Sequence, residues 1–598
     1  MESNTGPERA IDASTIAEAF RITASQRPDQ VFLRTKEDEV SLTFAQARDR
    51  IDAIAGGLAG LGAGPGQTVA LLIGNRPEFA LADLAITMTG ATPFSIYMQY
   101  TPDQIAFVVS DAGARVLICE QQFLGGVLEA RKELPDLEHV IVIDGQAPQG
   151  VTALADVEGA NPGWDVEASV AALGPDDILT LIYTSGTTGP PKGVQLSHRN
   201  LLAAVQSVEA IVQFPDGARV ISWLPSAHIA ERAAHHYLPI VYGMTVTSCP
   251  NAKEVLAYVA AVRPSWFFAV PRIWEKLKSG LEAMMAGQPD EQREQAEGAI
   301  RASIQKVKLE QAGQPVPEEL AAAVAKADEA LFSKLRAQLG FDPVEAVNVG
   351  AAPTPPEVLE FFHAIGIPVA ELWGMSETCG AGCVNPPDKI KIGTVGPPSP
   401  GVEVKLAEDG ELLMKSDVVM LGYRNLPEKT AEAIDADGWL HTGDIATIDD
   451  DGYVTLVDRK KEIIINAAGK NMSPANIEAT VKSASPLIGQ ACVIGDRRPF
   501  NTALLVLDAD FAPAYAAKAG IEDASLEALS KDERVRAVIQ QGIDGANEKL
   551  ARVEQIKKFV IVSGDWLPGG DELTPTMKLK RKPIAEKYGA DIEGMYAS

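Results

Sequence analysis

Residues 183–193 read Tyr183-Thr184-Ser185-Gly186-Thr187-Thr188-Gly189-Pro190-Pro191-Lys192-Gly193, directly after the apolar, strand-like residues 178–182. Glycines allow backbone amides to approach an anion closely, and hydroxyl groups add hydrogen-bond donors. Lys192 adds a mobile positive charge. The stretch therefore predicts a buried strand followed by a loop that wraps a polyphosphate. A P-loop is excluded because neither Ser nor Thr follows the lysine, and a solvated surface turn is the alternative.

Length and composition predict a multidomain globular enzyme. A chain of 598 residues is too long for a single core, and 46% hydrophobic with 22% charged residues is ordinary for soluble enzymes. The formal net charge of -28 argues against nucleic acid as a partner and against electrostatic docking on anionic lipid. Anionic substrates must then be held by local positive groups. The sequence leaves open the oligomeric state and a transient membrane contact.

The cysteines and the N-terminus indicate a cytoplasmic location. The first eight residues lack the basic and apolar regions of a signal peptide, and no apolar run reaches membrane-spanning length. The cysteines are too few and scattered for a disulfide framework, so all are expected to be reduced. They are Cys119, Cys249, Cys379, Cys383 and Cys492.

Strand-like and helical segments alternate along residues 17–145, which predicts parallel-rich sheets layered with helices in an α/β class. Residues 279–340 are rich in good helix formers and broken at residues 313–317, which indicates a helical hairpin inserted in this domain. A solvated structural insertion is its simplest interpretation, and a partner site is the alternative.

A charged segment, residues 456–462, separates two sheet-like regions and is typical of an exposed linker. We therefore expect a large N-terminal domain over residues 1–457. Residues 458–598 are expected to form a small, mobile α+β C-terminal domain.

Two further stretches carry side chains suited to a substrate pocket. Residues 223–232 read Trp-Leu-Pro-Ser-Ala-His-Ile-Ala-Glu-Arg, and His228 within them is either a site residue or an ordinary core or surface histidine. Residues 263–276 are rich in aromatic side chains, which suits an apolar pocket wall and equally a plain buried strand.

Taken together and in this order, these stretches resemble the acyl-adenylate-forming superfamily, which includes acyl-CoA synthetases, luciferases and peptide-synthetase adenylation domains. Residues 223–232 and 263–276 are similar to long-chain, bubblegum-type fatty acyl-CoA synthetases in particular. Further motifs that carry the resemblance are residues 349–353, 371–378, 438–444, 458–461, 469–474 and 573–581.

The resemblance implies an ATP/AMP site in which adenine lies against small residues and stacks on Trp373. Ser376 replaces the threonine of the family pattern and keeps its hydroxyl, and Asp444 accepts both ribose hydroxyls. Arg459 is similar to the family arginine that contacts ribose. The implied ATP/AMP-binding residues are Thr184, Ser185, Gly186, Thr187, Thr188, Gly189, Lys192, Gly350, Ala351, Ala352, Glu371, Leu372, Trp373, Gly374, Met375, Ser376, Asp444, Arg459 and Lys578.

The same resemblance implies the catalytic groups. Glu377, together with Thr184, is the expected Mg²⁺ ligand, because hard oxygen donors suit a hard cation beside phosphates. Lys192 is expected near the departing phosphates. Lys578 is the catalytic lysine by spacing, with Lys580 as its rival and the neighbouring Lys582 adding a further candidate. Met577 stands where the general family pattern has glycine.

Four more residues receive roles by resemblance. His228 and Val270 are expected in the acyl pocket. Lys461 lies where the family places its hinge, and Gly469 would leave room for the pantetheine arm of coenzyme A during thioester formation.

The sequence thus predicts an ATP-dependent ligase that uses ATP, Mg²⁺ and coenzyme A. It is expected to activate a long-chain fatty acid as acyl-AMP and to transfer the acyl group to coenzyme A. A fatty acyl-AMP ligase, or a coenzyme A ligase for another hydrophobic acid such as an aryl, terpenoid or steroid acid, shares these motifs. A non-enzymatic binder is disfavoured because Lys578 and Glu377 are both present.

Overall fold

The computed structural model describes residues 9–184, 190–467 and 469–597. Within these residues the strand before the phosphate loop belongs to an eight-stranded sheet. Its neighbours are parallel on one side and antiparallel on the other, because the chain returns through the loop as the next strand. In spatial order the strands are Gly422–Tyr423, Lys192–Ser197, Ile178–Thr184, Thr92–Ser95, Thr68–Leu72, Val116–Cys119, His139–Val142 and Thr152–Ala153.

Two smaller sheets complete the parallel-rich part of the large domain. In each, two successive strand pairs are parallel and the edge pair is antiparallel. The first contains Arg219–Ser222, Thr245–Ser248, Val31–Thr35 and Ser41–Thr43, and the second contains Trp266–Ala269, Ala346–Val349, Val369–Trp373 and Cys383–Val384.

An antiparallel sheet ends the large domain and leads into the linker. Its strands are Glu403–Leu406, Glu411–Lys415, Leu440–Ile448 and Val454–Arg459. The last strand pairs Arg459 with Asp444. The boundary expected after residue 457 therefore falls two residues before the end of this strand.

The C-terminal part is built around a three-stranded sheet and a short hairpin. The sheet strands are Ile488–Ile494, Asn501–Leu507 and Ile556–Ile561, and the hairpin strands are Ile464–Ile465 and Asn471–Met472. Buried apolar side chains after residue 463 pack in clusters separate from those before residue 457. The predicted α/β class, with a large N-terminal domain and a smaller C-terminal domain, is confirmed.

Helices pack against the strands in both parts of the chain. In the large domain they are Ile16–Gln26, Phe44–Gly60, Pro77–Met88, Pro102–Ala112, Leu124–Arg131, Leu154–Val157, Val166–Ala171, His198–Glu209, Ile229–Glu231, Leu238–Tyr242, Val255–Val262, Pro271–Ala286, Asp290–Gln311, Glu318–Ala327, Ser333–Leu339, Pro356–Ala364 and Pro427–Ala433. In the C-terminal part they are Pro474–Ser483, Phe511–Ala519, Leu526–Leu529, Glu533–Lys549, Arg581–Lys587 and Gly589–Ala597.

The stretch interpreted as a helical insertion is helical, with its turn at residues 312–317. Helix Pro271–Ala286 starts before the expected insertion and enters it. Helix Asp290–Gln311 fully buries only Ile300, Ser303 and Val307, and its other residues are half-buried or exposed. The insertion is therefore a mostly solvated layer on the large domain.

Candidate active site

The two strands that flank the phosphate loop place Thr184 beside Lys192. They are antiparallel, and Thr184 pairs with Lys192 in the register. The Thr184 hydroxyl donates to the Lys192 carbonyl at 3.4 Å. The predicted loop residues Ser185, Gly186, Thr187, Thr188 and Gly189 lie outside the described residues.

Lys192, Tyr423 and Glu377 form one contact chain beside this loop. The Lys192 ammonium lies 3.8 Å from the centroid of the Tyr423 ring, and the Tyr423 hydroxyl donates to Glu377 Oε1 at 2.8 Å. Burial lowers the pKa of Lys192, while the nearby Glu377 carboxylate partly opposes this. Tyr423 was not predicted from the sequence. Its only sequence signal is a short Gly422-Tyr423 segment, which pairs with the strand that begins at Lys192.

Glu377 is held in a tight turn after strand Val369–Trp373. The turn requires glycine at position 374, because the backbone at Gly380 packs directly against it. A Cβ at Gly374 would lie 2.1 Å from the Gly380 carbonyl oxygen. The Glu377 carbonyl accepts from the Met420 amide at 2.8 Å. The side chain is 7% exposed. One buried carboxylate is thereby fixed next to the end of the phosphate-loop strands.

Asp444 is fixed by two donors. The Trp373 indole Nε1 donates to Asp444 Oδ2 at 2.8 Å, and the Arg459 guanidinium lies 2.9 Å from Asp444 Oδ1. Burial raises the pKa of Asp444, and Arg459 works against that shift. Trp373 is itself 7% exposed, and its ring packs against Gly382, where a Cβ would lie 2.5 Å from the ring. In this geometry Trp373 orients Asp444. The stacking of Trp373 on adenine remains a prediction.

Lys578 reaches this group of side chains from the C-terminal domain. The residue is exposed to solvent, although protein atoms crowd around its ammonium group. Burial and the neighbouring Arg459 lower its pKa, whereas Asp444 and Glu377 favour its charged form. Lys578 therefore lies in the cleft between the domains, close to both carboxylates.

Lys580, the alternative catalytic lysine, points into the C-terminal domain and not toward Asp444 and Glu377. Its ammonium donates to the Gly570 carbonyl at 2.8 Å, within the C-terminal domain. Lys582 is exposed and lies 4.0 Å from Glu586. The geometry therefore favours Lys578 as the lysine that faces the cleft.

His228 lies near Lys578, close enough for the lysine to affect its protonation. Its Nδ1 accepts from the Ala230 amide at 3.2 Å at the start of helix Ile229–Glu231. Burial, and secondarily Lys578, lowers the pKa of His228 to about 4. The imidazole is therefore neutral at physiological pH, and because Nδ1 is the acceptor its proton is assigned to Nε2.

A buried charge cluster that was not predicted holds the His228 loop. Glu231 accepts from the Leu224 amide at 3.0 Å and thereby closes the loop that carries His228. The next residue, Arg232, is fully buried and ion-paired with Asp83, and it donates to Ser95 Oγ at 3.0 Å. A buried ion pair is kept stable only when its remaining hydrogen bonds are made, which is the case here.

The residues predicted to contact adenine lie at the ends of two neighbouring parallel strands. Gly350 leaves little room for a Cβ, which would lie 3.0 Å from the Leu372 carbonyl oxygen. Ala351, exposed like Ala352, adopts a left-handed backbone with φ of 69°. Glu371 accepts from the Gly393 amide at 3.1 Å, and burial raises its pKa to about 7.

The other predicted site residues surround this region. Leu372, Met375, Ser376 and Val270 are half-buried, Lys461 is exposed, and Gly469 is exposed with φ of 75°. Lys461 lies close enough to Lys192 to lower that lysine's pKa further. The structure thus gathers Lys192, Glu377, Asp444, Arg459, Lys578 and His228 around one cleft, and it places Gly469 on an exposed hairpin.

Family comparisons agree with this arrangement. AMP-binding enzymes match residues 20–424, and the C-terminal domain of AMP-binding enzymes matches residues 461–598. The chain belongs to the AMP-binding enzymes, and the resemblance predicted from its motifs is confirmed.

Individual relatives cover most of the chain. The Mycobacterium tuberculosis protein fadD11 is 51% identical over 452 residues, which are 75% of this chain and 79% of that protein. Long-chain-fatty-acid–CoA ligase FadD15 of Mycobacterium bovis is 36% identical over 578 residues, or 95% of each chain. The adenylation domain of a carboxylate reductase from Mycobacterium chelonae has the same fold, with a TM-score of 0.75, 19% identity, and coverage of 98% of this chain and 92% of that one.

Asp444→Asn is expected to raise the KM for ATP about tenfold or more. The substitution keeps the size of the side chain but removes a charged acceptor that Trp373 and Arg459 hold in place, and hydrogen bonds to charged groups are worth roughly 1.5–3 kcal/mol. The measurement is the ATP dependence of pyrophosphate exchange. Asp449→Asn, in an exposed turn that follows the same strand, is the control. Equal KM values for the two variants would show that Asp444 has only a structural role.

Met577→Gly is expected to raise the thermal midpoint of the C-terminal domain relative to Met577→Ala. Met577 is 46% exposed and has φ of 65°, a left-handed conformation that costs a non-glycine residue roughly 1–2 kcal/mol. Alanine keeps this cost, whereas glycine removes it, partly offset by its greater freedom in the unfolded chain. The measurement is thermal unfolding of both full-length variants. A lower midpoint for the glycine variant would contradict the argument.

Proposed function

We propose that this protein is an ATP-dependent long-chain fatty-acid–CoA ligase that forms acyl-AMP and then an acyl thioester of coenzyme A. Membership of the AMP-binding enzymes and the printed name of the FadD15 relative support this proposal. The single structural observation that carries it is a connected site: Trp373 and Arg459 hold Asp444, Tyr423 joins Glu377 to Lys192, and Lys578 approaches this group from the C-terminal domain.

The arrangement suits attack of a carboxylate on the α-phosphorus of ATP. Lys192 and Lys578 would provide positive charge around the phosphates, which the overall charge of -28 could not supply, and Arg459 would contact the ribose. Lys578 is proposed to bridge the carboxylate and the ribose-phosphate oxygens, and Lys192 to stabilise the leaving pyrophosphate. Catalysis then rests on positioning and on electrostatic stabilisation of developing charge.

Glu377 is the proposed Mg²⁺ ligand. Among the described residues no group of three metal-ligating side chains occurs. A single buried carboxylate fits Mg²⁺, which binds proteins through one or two carboxylates and completes its shell with water and substrate phosphates. The bound ion would neutralise phosphate charge. The Tyr423 hydroxyl on Oε1 orients the carboxylate for this role.

Thioester formation is proposed to need a second arrangement of the domains. Lys461 is the proposed hinge and Gly469 the residue that would line the coenzyme A channel. Gly469 lies on an exposed hairpin, and among the described residues no atom lies within 4 Å of a Cβ built there, which leaves this position accessible to a ligand. Rotation would also withdraw Lys578 from the cleft.

The cellular location, and any partner other than the substrates, remain predictions. All five cysteines are buried and none forms a disulfide, which agrees with a reducing compartment and supports a cytoplasmic location. In the described part of the chain no helix is both long and apolar enough to cross a bilayer.

A substrate panel tests the proposal. Acids from acetate to C20 chains, together with aryl and steroid acids, are compared by coenzyme A-dependent release of AMP. The proposal expects release with long-chain acids only when coenzyme A is present. Adenylate that accumulates without thioester would indicate a fatty acyl-AMP ligase, preference for a ring acid would indicate a different ligase, and no pyrophosphate exchange with any acid would exclude adenylation.

A further inference from the structure

Glu231 connects the loop that carries His228 to two sheets of the large domain. The His228 loop, residues 223–228, follows strand Arg219–Ser222 of one sheet, and Asn75 follows a strand of the eight-stranded sheet. Glu231 is 2% exposed. Burying a charged group without hydrogen-bond partners is expensive, so the donors around its carboxylate indicate which parts of the chain it holds together.

Four donors meet the Glu231 carboxylate. Oε2 accepts from the Leu224 amide at 3.0 Å and from the Trp223 amide at 3.4 Å. His235 Nδ1 lies 2.7 Å from the same oxygen, and because a carboxylate only accepts, that nitrogen is assigned the proton. Oε1 accepts from Asn75 Nδ2 at 3.2 Å. One side chain therefore joins the His228 loop, the helical segment after it and the end of a strand in the neighbouring sheet.

Two further hydrogen bonds fix the His228 loop to the eight-stranded sheet. Asn75 Nδ2 also donates to the Leu224 carbonyl at 2.8 Å. The Ser226 hydroxyl donates at 3.0 Å to the carbonyl of Ile73, which directly follows a strand of that sheet. Because Ser226 is two residues from His228, the position of the imidazole depends on how this loop is held.

A second buried cluster anchors the helical segment after the loop. Residues 232–237 form a π-helical turn, in which residues five apart meet, and the Tyr237 hydroxyl accepts from Arg232 Nη2 at 2.8 Å. His236 Nε2 donates to Asp83 Oδ1 at 2.9 Å. Among the described residues, the side-chain hydrogen bonds of this cluster do not reach the His228 loop. The cluster therefore offers an equally buried control.

We propose that Glu231 is a positioning residue for the acid substrate: its carboxylate holds the His228 loop in the shape that lines the acyl pocket. The inference rests on the proposed function, because it needs the pocket in which His228 is expected. Glu231 acts through the loop backbone and does not contact the acid. The proposed nucleotide contacts, Asp444 and Arg459, belong to a different sheet, so ATP binding should not depend on Glu231.

The variant Glu231→Gln tests the carboxylate with little change in size. Its amide offers one oxygen and one NH₂ group, and in either orientation the NH₂ group meets a donor. On one side that donor is Asn75 Nδ2, and on the other side are the amides of Trp223 and Leu224. Asn75 cannot turn its own amide without losing the Leu224 carbonyl. The loop backbone must therefore shift, since a buried donor without an acceptor is costly.

Pyrophosphate exchange with palmitate measures the effect. For Glu231→Gln we expect the KM for palmitate to rise about tenfold or more, and the KM for ATP to change less than about twofold. Asn75→Ala removes a donor to the same loop from another segment, and it should give the same pattern with a smaller rise. If Glu231→Gln does not fold, Asn75→Ala decides: an unchanged KM for palmitate in that variant would overturn the proposal.

Tyr237→Phe is the matched control, because it removes one hydroxyl from the second cluster at a fully buried side chain. It should lower the thermal midpoint and leave the KM for palmitate unchanged. If Glu231 has only a structural role, Glu231→Gln will behave like Tyr237→Phe or will raise the two KM values equally. Either result would overturn the proposal.

A readout without activity separates this inference from the proposed function. Amide hydrogen exchange at residues 223–228 should be faster in Glu231→Gln than in Tyr237→Phe, and equal rates would overturn the proposal. If the native protein exchanges pyrophosphate with no acid, the proposed function fails. The hydrogen-exchange result then still decides whether Glu231 holds the loop.

Discussion

Lys578→Ala is expected to lose pyrophosphate exchange by roughly 10²–10³-fold, the usual cost of one transition-state donor, while still converting supplied acyl-AMP and coenzyme A to thioester. The reason is its proposed role: near Glu377 and Asp444, its positive charge would meet the charge that develops on the phosphate. Both half-reactions are measured on the same preparation, by isotope exchange and by thioester formation.

Two variants control this experiment. Lys580→Ala removes a neighbouring lysine that donates to the Gly570 carbonyl, and it should leave the ratio of the two half-reactions unchanged. Lys461→Pro should show the reverse loss, because a fixed φ at the proposed hinge impedes rotation and spares adenylation. Equal loss of both half-reactions in Lys578→Ala would contradict the alternation. A selective loss in Lys580→Ala would shift the catalytic position by two residues.

Glu377→Gln is expected to reduce pyrophosphate exchange at least about a hundredfold. A metal ion beside the phosphates contributes several kcal/mol of charge stabilisation, and each 1.36 kcal/mol is about tenfold in rate. The amide retains an oxygen that can accept from Tyr423, so the fold of the site should survive. The measurement is exchange as a function of Mg²⁺ concentration.

Tyr423→Phe is the matched control, since it removes the hydroxyl that orients Glu377 and keeps the ring under Lys192. It should shift the Mg²⁺ dependence less than Glu377→Gln does. Near-normal exchange by Glu377→Gln at saturating Mg²⁺ would exclude a direct role for this carboxylate.

Much of the fold could be predicted because strands and helices depend on sequence patterns within short segments. Short apolar runs such as residues 116–119 are buried strands, and the helix-rich composition of residues 279–340 gives helices. The start of the linker, within the charged segment 456–462, is harder to predict from the sequence. Asp458 and Arg459 look like linker residues by charge, yet they complete a strand that pairs with Asp444, because backbone pairing and the Asp444–Arg459 ion pair outweigh their polarity.

Contacts between distant parts of the chain could not be predicted. Tyr423 is 46 residues from Glu377 and meets it only after the short Gly422–Tyr423 strand joins the large sheet. Likewise, Asp83 and Arg232 are 149 residues apart, and a single sequence gives no sign that they form a buried pair. The choice between Lys578 and Lys580 also depended on geometry, because both lie in the same basic run.

In the proposed rotation about Lys461, the paired residues Asp444 and Arg459 stay with the large domain while the C-terminal domain moves. Both residues belong to adjacent strands of the large domain, and the chain reaches Lys461 only after them. A nucleotide bound by this pair would remain on the large domain during both half-reactions. The acyl-AMP would then stay bound at one site through both half-reactions. Because the reactive carbonyl would not move between sites, water would have no transfer step in which to hydrolyse it.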